Sequence, residues 1–115
     1  METTPKPTNL PADDFFKFDI RVGTITQAEA IKKSKLLNLK VSFGAEIGER
    51  TILAGIAEAY NPEGLIGLQI VAVLNLAPRE MKGIMSHGML LAGRNATGQL
   101  VLVSPNGIAE GGEVG

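Results

Sequence analysis

Between Leu37 and Phe43 the chain alternates with a period of two. Leu37, Leu39, Val41 and Phe43 are apolar, and Asn38, Lys40 and Ser42 between them are polar. Successive side chains of a strand point to opposite faces, so the stretch predicts a strand with one face on a core and one on solvent. "GAEIGE" supplies a turn and "RTILAGIA" a return strand, which together predict a hairpin. Upstream, "FDIRVGTITQAEA" is rich in β-branched residues and predicts another strand, in which Gly23 marks a bulge or bend. Downstream, "LQIVAVLNL" is almost continuously apolar, as expected of a central strand. "GMLLAG" and "QLVLVS" read as two further strands, separated by the turn signal "RNATG".

Two segments break this strand pattern. In "EAYNPEGLIG", Asn61 stands as a helix N-cap and Pro62 at the first helical position, while Gly64 and Gly67 limit the helix to about one turn. In "ADDFFKFDI", Asp13 or Asp14 caps a short helical turn whose Phe15, Phe16 and Phe18 pack inward, as core or as a subunit contact. Residues 1–12 hold three of the six prolines and read as a flexible arm, leaving residues 13–115 as one domain. The expected fold is therefore all-β: a five-stranded Greek-key barrel of the OB type. It carries a short helix between strands 3 and 4 and short terminal extensions, and its ligand surface lies on strands 2–3 and the flanking loops. An SH3-like barrel accounts for the strand count but explains the helical insertion less naturally.

Composition narrows the chemistry. A chain of 115 residues with 44% hydrophobic and 20% charged residues is a globular domain. It has no cysteine, which excludes disulfides, thiolate nucleophiles and cysteine-based metal sites. No apolar run reaches the ~18 residues of a membrane span, and the first residues lack the order of a secretory signal, so a soluble cytoplasmic protein is expected. The net charge is only −1, yet Lys32, Lys33, Lys35 and Lys40 lie close together with no acid among them. Screening confines such a field to about 10 Å, so a local basic patch attracts phosphate whatever the overall charge.

Arg79, Lys82 and Arg94 flank "GIMSHGM", which contains the single histidine. Ser86 and His87 are adjacent, and in an extended segment their side chains point to opposite sides, which is unsuited to a nucleophile and its base. His87 has no cysteine partner and no carboxylate spaced around it, so neither a metal nor a cofactor is expected. The histidine reads as a surface polar residue, or as a donor or stacking ring against nucleic acid.

The blocks "FDIRVGTI", "KSKLLNLKVSFG", "TILAGIAEAYNPEGLIGLQIVAVLNLAPREMKGIMSHGMLLA" and "SPNGIAEGGEVG" resemble, in that order, a tRNA-binding domain family. Its members occur as C-terminal appendages of many methionyl-tRNA synthetases, as free-standing dimeric tRNA-binding proteins and as the secretion chaperone CsaA. The resemblance spans about Asp14 to Val114. It implies an OB-fold, a homodimer when free-standing, and tRNA binding directed by structure rather than base sequence.

In the family's basic loop, Lys35, Leu36 and Leu37 match, while Lys32, Lys33 and Ser34 replace an acidic stretch and make the loop more basic. The family's "SEGM" block stands here as Ser86-His87-Gly88-Met89. Ser86 and Met89 carry over as RNA-binding positions, whereas His87 departs from the usual acid or amide. Ala54 replaces a hydroxyl-bearing residue. The residues expected to face RNA are thus Lys32, Lys33, Lys35, Asn38, Lys40, Arg79, Lys82, Ser86, His87 and Met89. Met89 is equally readable as core. Aromatic residues are few, which favours recognition of a folded RNA backbone over stacking on splayed bases. The expected partners are tRNA, a second copy of the chain and a synthetase. The alternatives are a CsaA-type chaperone that binds unfolded or export-bound chains, and a dimerisation module that has lost RNA binding.

Overall fold

In the computed structural model, which describes residues 5–115, the alternating stretch forms β2 (Leu37–Ser42). Leu37, Leu39 and Val41 are fully buried, and Phe43 just beyond is buried with them. β1 (Ile20–Ala30) precedes it and β3 (Glu49–Ala54) returns antiparallel to it. A 3₁₀ turn (Pro62–Leu65) follows, then β4 (Gln69–Val73) and the short strands β5 (Arg79–Met81), β6 (Ile84–Ser86), β7 (Met89–Leu90), β8 (Ala92–Arg94) and β9 (Leu100–Leu102).

The main sheet has five strands in the order β3-β2-β1-β4-β7. β1 serves two partners, pairing through Ile20–Thr24 with β4 and through Thr24–Ala30 with β2. The sheet curls until its outer strands meet. His87 N–H donates to Thr51 O at 2.8 Å, and Leu53 N–H donates to Ser86 Oγ at 3.0 Å, so β3 is joined to the segment entering β7. This is the all-β OB-type barrel that the strand pattern predicts, with its one helical turn between β3 and β4. Among the described residues no helix is long and apolar enough to cross a membrane.

The inner faces of β1 to β4 supply the core, built around Ile25, Leu37, Leu39, Val41, Phe43, Ile52 and Ile70. A smaller cluster of Ile20, Val71 and Val73 lies apart, packed against Leu91 and Val114. β4 is therefore covered on both faces, which is why its sequence does not alternate. The C-terminal tail takes up the edge of β1 that β2 leaves. Gly111 N–H donates to Val22 O at 2.8 Å, Val22 N–H to Gly112 O at 3.0 Å and Val114 N–H to Ile20 O at 2.9 Å. Arg21 fastens this tail, donating from Nη1 to Gly111 O at 2.9 Å and pairing with Glu113 at 3.1 Å. The hydrogen bond from Arg21 to Asp19 is the main cause that raises its pKa above the ordinary arginine value.

Several expectations are corrected. The register slip in β1 falls between Ile25 and Gln27, not at Gly23. Gly23 serves a close approach instead, since a Cβ there would lie 2.6 Å from both Phe43 and Val41 side-chain carbons. Asn61 makes no side-chain cap, although Pro62 does begin its turn. In α1 (Ala12–Phe15), Pro11 occupies the cap position with no side-chain bond, and Asp13 and Asp14 lie within the turn.

Phe15, Phe16 and Phe18 do not join the core: they are 48%, 69% and 47% exposed. They line one open depression together with Glu113, Val114 and Gly115, and the inner faces of the strands fill the barrel without them. Residues 1–4 of the expected arm lie outside the described residues, and residues 5–11 are exposed. "GMLLAG" forms two strands rather than one, because the chain breaks at Leu91, whose N–H donates to Val71 O and whose C=O accepts from Val103.

Candidate nucleic-acid interface

The lysine cluster lies on the turn between β1 and β2. Ile31 N–H donates to Leu36 O at 3.1 Å across the base of the turn. Ser34 braces it, donating to Ile31 O at 2.8 Å and accepting from Leu36 N–H at 3.2 Å. Serine hydroxyls hold turns by such local bonds. Lys33 adopts a left-handed backbone with φ 58°, and Lys32, Lys33 and Lys35 all project into solvent. Lys35 faces Glu58 at 3.4 Å, with both side chains about three-quarters exposed. At such exposure the pair is screened and the lysine stays free to exchange partners.

The stretch from Arg79 to Ser86 is a hairpin rather than a loop. β5 and β6 pair antiparallel through Arg79–Ser86, Glu80–Met85 and Met81–Ile84, leaving Lys82 and Gly83 as a two-residue connection. Their φ values are 52° and 78°. Positive φ at both positions matches the twist of the flanking strands, and glycine accepts it without strain. Lys82 therefore stands at the tip of a projecting ribbon, with Arg79 exposed on its first strand.

The turn and the ribbon border one groove of about 300 Å³. Leu36, at the end of the lysine turn, lines it together with Arg79 and Met81 of the hairpin. Leu53, Leu76 and Met89 add apolar surface. Met89 is 48% exposed, which places it on the surface and not in the core. Leu36, next to Lys35, and Arg79, distant in sequence, thus line one largely apolar groove, whose lining includes none of Lys32, Lys33, Lys35 and Lys82.

Ser86 also contributes to the groove's lining, while the other predicted residues have different surroundings. Ser86 is buried, its Oγ accepting from Leu53 N–H and donating to Gly88 O at 3.2 Å. Both capacities of the hydroxyl are used within the barrel seam. Ser86→Ala is expected to cost about 1–3 kcal/mol, because Leu53 N–H would remain buried without an acceptor. A denaturant midpoint equal to that of the parent would show that this amide finds another partner. His87 is exposed, and its backbone N–H makes the seam bond to Thr51.

Lys40 is half-buried on the outer face of β2, its Nζ donating to Thr51 Oγ1. Asn38 lies on the same face, with its Oδ1 buried and unpartnered among the described residues. Both border a separate shallow depression with Gln27 and Glu29. Arg94 turns back on its own hairpin, donating to Gly98 O at 2.8 Å. Among the described residues no three histidine, aspartate or glutamate side chains gather as a metal ligand set. The sequence reading missed the hairpin, although a Lys-Gly pair between short apolar-containing runs was its one available signal. It also missed Arg50, a strand residue whose partners lie far along the chain.

Residues 20–114 match the family model described as "Putative tRNA binding domain". A methionine–tRNA ligase of Cytophaga hutchinsonii is 46% identical over 113 residues, covering 98% of this chain and 16% of the ligase. The chain therefore spans about one-sixth of the length of that relative. Among solved structures, the chaperone CsaA of Bacillus anthracis superposes with a TM-score of 0.83 at 37% identity, covering 92% of this chain and 98% of that one. A MetRS-related protein of Pyrococcus horikoshii gives a TM-score of 0.84 at 37% identity, covering 94% and 99%. By family model, identity and fold together, this chain belongs to the tRNA-binding domain family.

Proposed function

We propose that the chain binds tRNA through the shape of its folded backbone. Lys32, Lys33 and Lys35 of the turn, with Arg79 and Lys82 of the hairpin, neutralise phosphates around the groove. The observation that carries this reading is that one groove is lined by Leu36, which follows Lys35 in the turn, and by Arg79 of the hairpin. Released counterions drive the binding. Met89 offers a polarizable apolar surface within the groove, and His87 stands exposed beside it. Asn38 and Lys40 add polar contacts on the outer face of β2. Ser86 contributes by holding the segment in place. The groove's lining holds no aromatic side chain, which supports backbone recognition there; the exposed Phe15, Phe16 and Phe18 line a different depression.

The role is one of binding, not of catalysis, and is exercised in the cytoplasm. A synthetase catalytic unit, in the same chain or another, is the natural user of such a module, because the curated relatives carry it within methionine–tRNA ligases. The exposed Leu10, Phe15, Phe16 and Phe18 support self-association as a homodimer.

Total tRNA should shift the chain in a native gel, with affinity falling steeply as salt rises. Lys35→Ala and Lys82→Ala should each weaken binding and lower the log–log salt slope by about 1 without changing dimerisation. Affinity indifferent to salt, or both variants binding like the parent, would remove this surface from the reading. The second reading is a chaperone that binds unfolded chains, favoured by the exposed Leu76, Met85 and Met89 and by the likeness to CsaA. An unfolded protein competitor separates the two, because it displaces tRNA only if both use the groove.

A further inference from the structure

The β5–β6 hairpin leaves the barrel after Leu74 and rejoins it at His87. Arg50 on β3 reaches both ends. Its Nη1 donates to Leu74 O at 2.7 Å and to His87 O at 3.3 Å. Beside it on β3, Thr51 O accepts from His87 N–H and Leu53 N–H is accepted by Ser86 Oγ. Those two neighbours hold only the returning end. Among these seam contacts, Arg50 alone spans both ends. Arg50 is half-buried, and among the described residues it has no carboxylate partner within 4.0 Å. Its charge is directed at two carbonyl dipoles.

A two-stranded ribbon is marginal by itself in water. Its aim therefore depends on how its ends are held, and this one carries Arg79 and Lys82. We propose that Arg50 is a positioning residue for RNA binding. By fixing the carbonyls of Leu74 and His87 to one nitrogen, it sets the aim of Arg79 and Lys82 across the groove from the lysine turn. The inference rests on the RNA reading given above. The planar guanidinium presents its N–H groups in a fixed fork, so one rigid group serves two acceptors. Lysine, a point charge on a flexible stem, keeps the attraction without that geometry. Without the clamp, ordering the ribbon on RNA would draw on the binding free energy.

The test is a double-mutant cycle on the full chain, with total tRNA titrated at several salt concentrations. Arg50→Met, Arg50→Lys, the Arg79→Ala/Lys82→Ala double variant and its combination with Arg50→Met are compared. Arg50→Met should weaken binding by a factor approaching that of the double variant. It should also lower the salt slope by nearly the same amount, about 1.8 for two phosphate contacts. Added to the double variant it should do little more, because the cations it aims are gone. Arg50→Lys should fall between Arg50→Met and the parent. This variant keeps the test open if the methionine variant fails to fold. Amide exchange in free protein should quicken at Met81 and Ile84 in the Arg50 variants while staying slow in β2.

Full additivity of Arg50→Met with the double variant would overturn the proposal, as would unchanged affinity in folded Arg50 variants. If the double variant itself binds like the parent, the RNA surface is misassigned. The proposal then falls with it, whatever amide exchange reports about the clamp.

Discussion

Phe43→Ala should lose about 3–5 kcal/mol of unfolding free energy, a large share of the roughly 5–15 kcal/mol that holds a domain of this kind together. The ring is 1% exposed and packs in the main core cluster with Val41 and Ile25. It lies so close to Gly23 that a Cβ there would approach its Cε1 to 2.6 Å. Truncation leaves a void that the rigid strands around it cannot close. The reverse change, Gly23→Ala, should cost about 1–3 kcal/mol by overpacking. Combined with Phe43→Ala it should cost less than the sum of the two, because the new methyl enters vacated space. Denaturant midpoints for the four proteins measure this directly. Strict additivity would mean that Gly23 does not exist to admit the ring.

Gly111→Val should release the C-terminal tail, at a cost on the order of 3 kcal/mol. Gly111 has φ 82°, a conformation that β-branched side chains resist. A Cβ there would also lie 2.6 Å from the carbonyl oxygen of Phe43, a backbone atom that cannot turn aside. The hydrogen bonds joining Gly111, Gly112 and Val114 to β1 would be lost together, uncovering Ile20, Val71 and Val73. The expected signature is faster amide exchange at Val22 and Val114 with a lowered melting temperature. Parent-like exchange at Val22 would show that the tail tolerates the change, and that the tight contact relaxes cheaply.

Some of this was legible because it is local. Alternation from Leu37 to Phe43 marks β2 and names its inner face, since period two leaves only two faces to choose from. The continuous apolar run through Val71 and Val73 marks a strand covered on both sides. The crowding of Lys32, Lys33 and Lys35 with Ser34 marks a basic turn, because the bonds that hold it join residues only two or three apart. The family resemblance named the family whose model matches residues 20–114, and its blocks lie in the order in which the barrel uses them.

The rest depends on residues that folding brings together from afar. Ser86 was expected to face RNA; it lines the groove, and its hydroxyl also accepts from Leu53 N–H, 33 residues away, where the barrel closes. Arg50 reads in sequence as one more polar position of a return strand. Its two acceptors lie 24 and 37 residues on and are backbone carbonyls, which every residue possesses and no pattern advertises. Phe15, Phe16 and Phe18 read equally as core or as a subunit contact, because hydrophobicity does not say whether room remains inside. Periodicity therefore determined the longer strands β1 to β4 and the inner face of β2, because each long strand writes its own environment into its residues. Closure of the barrel alone decided which groups meet at the seam and the groove, because that meeting depends on the curl of the sheet.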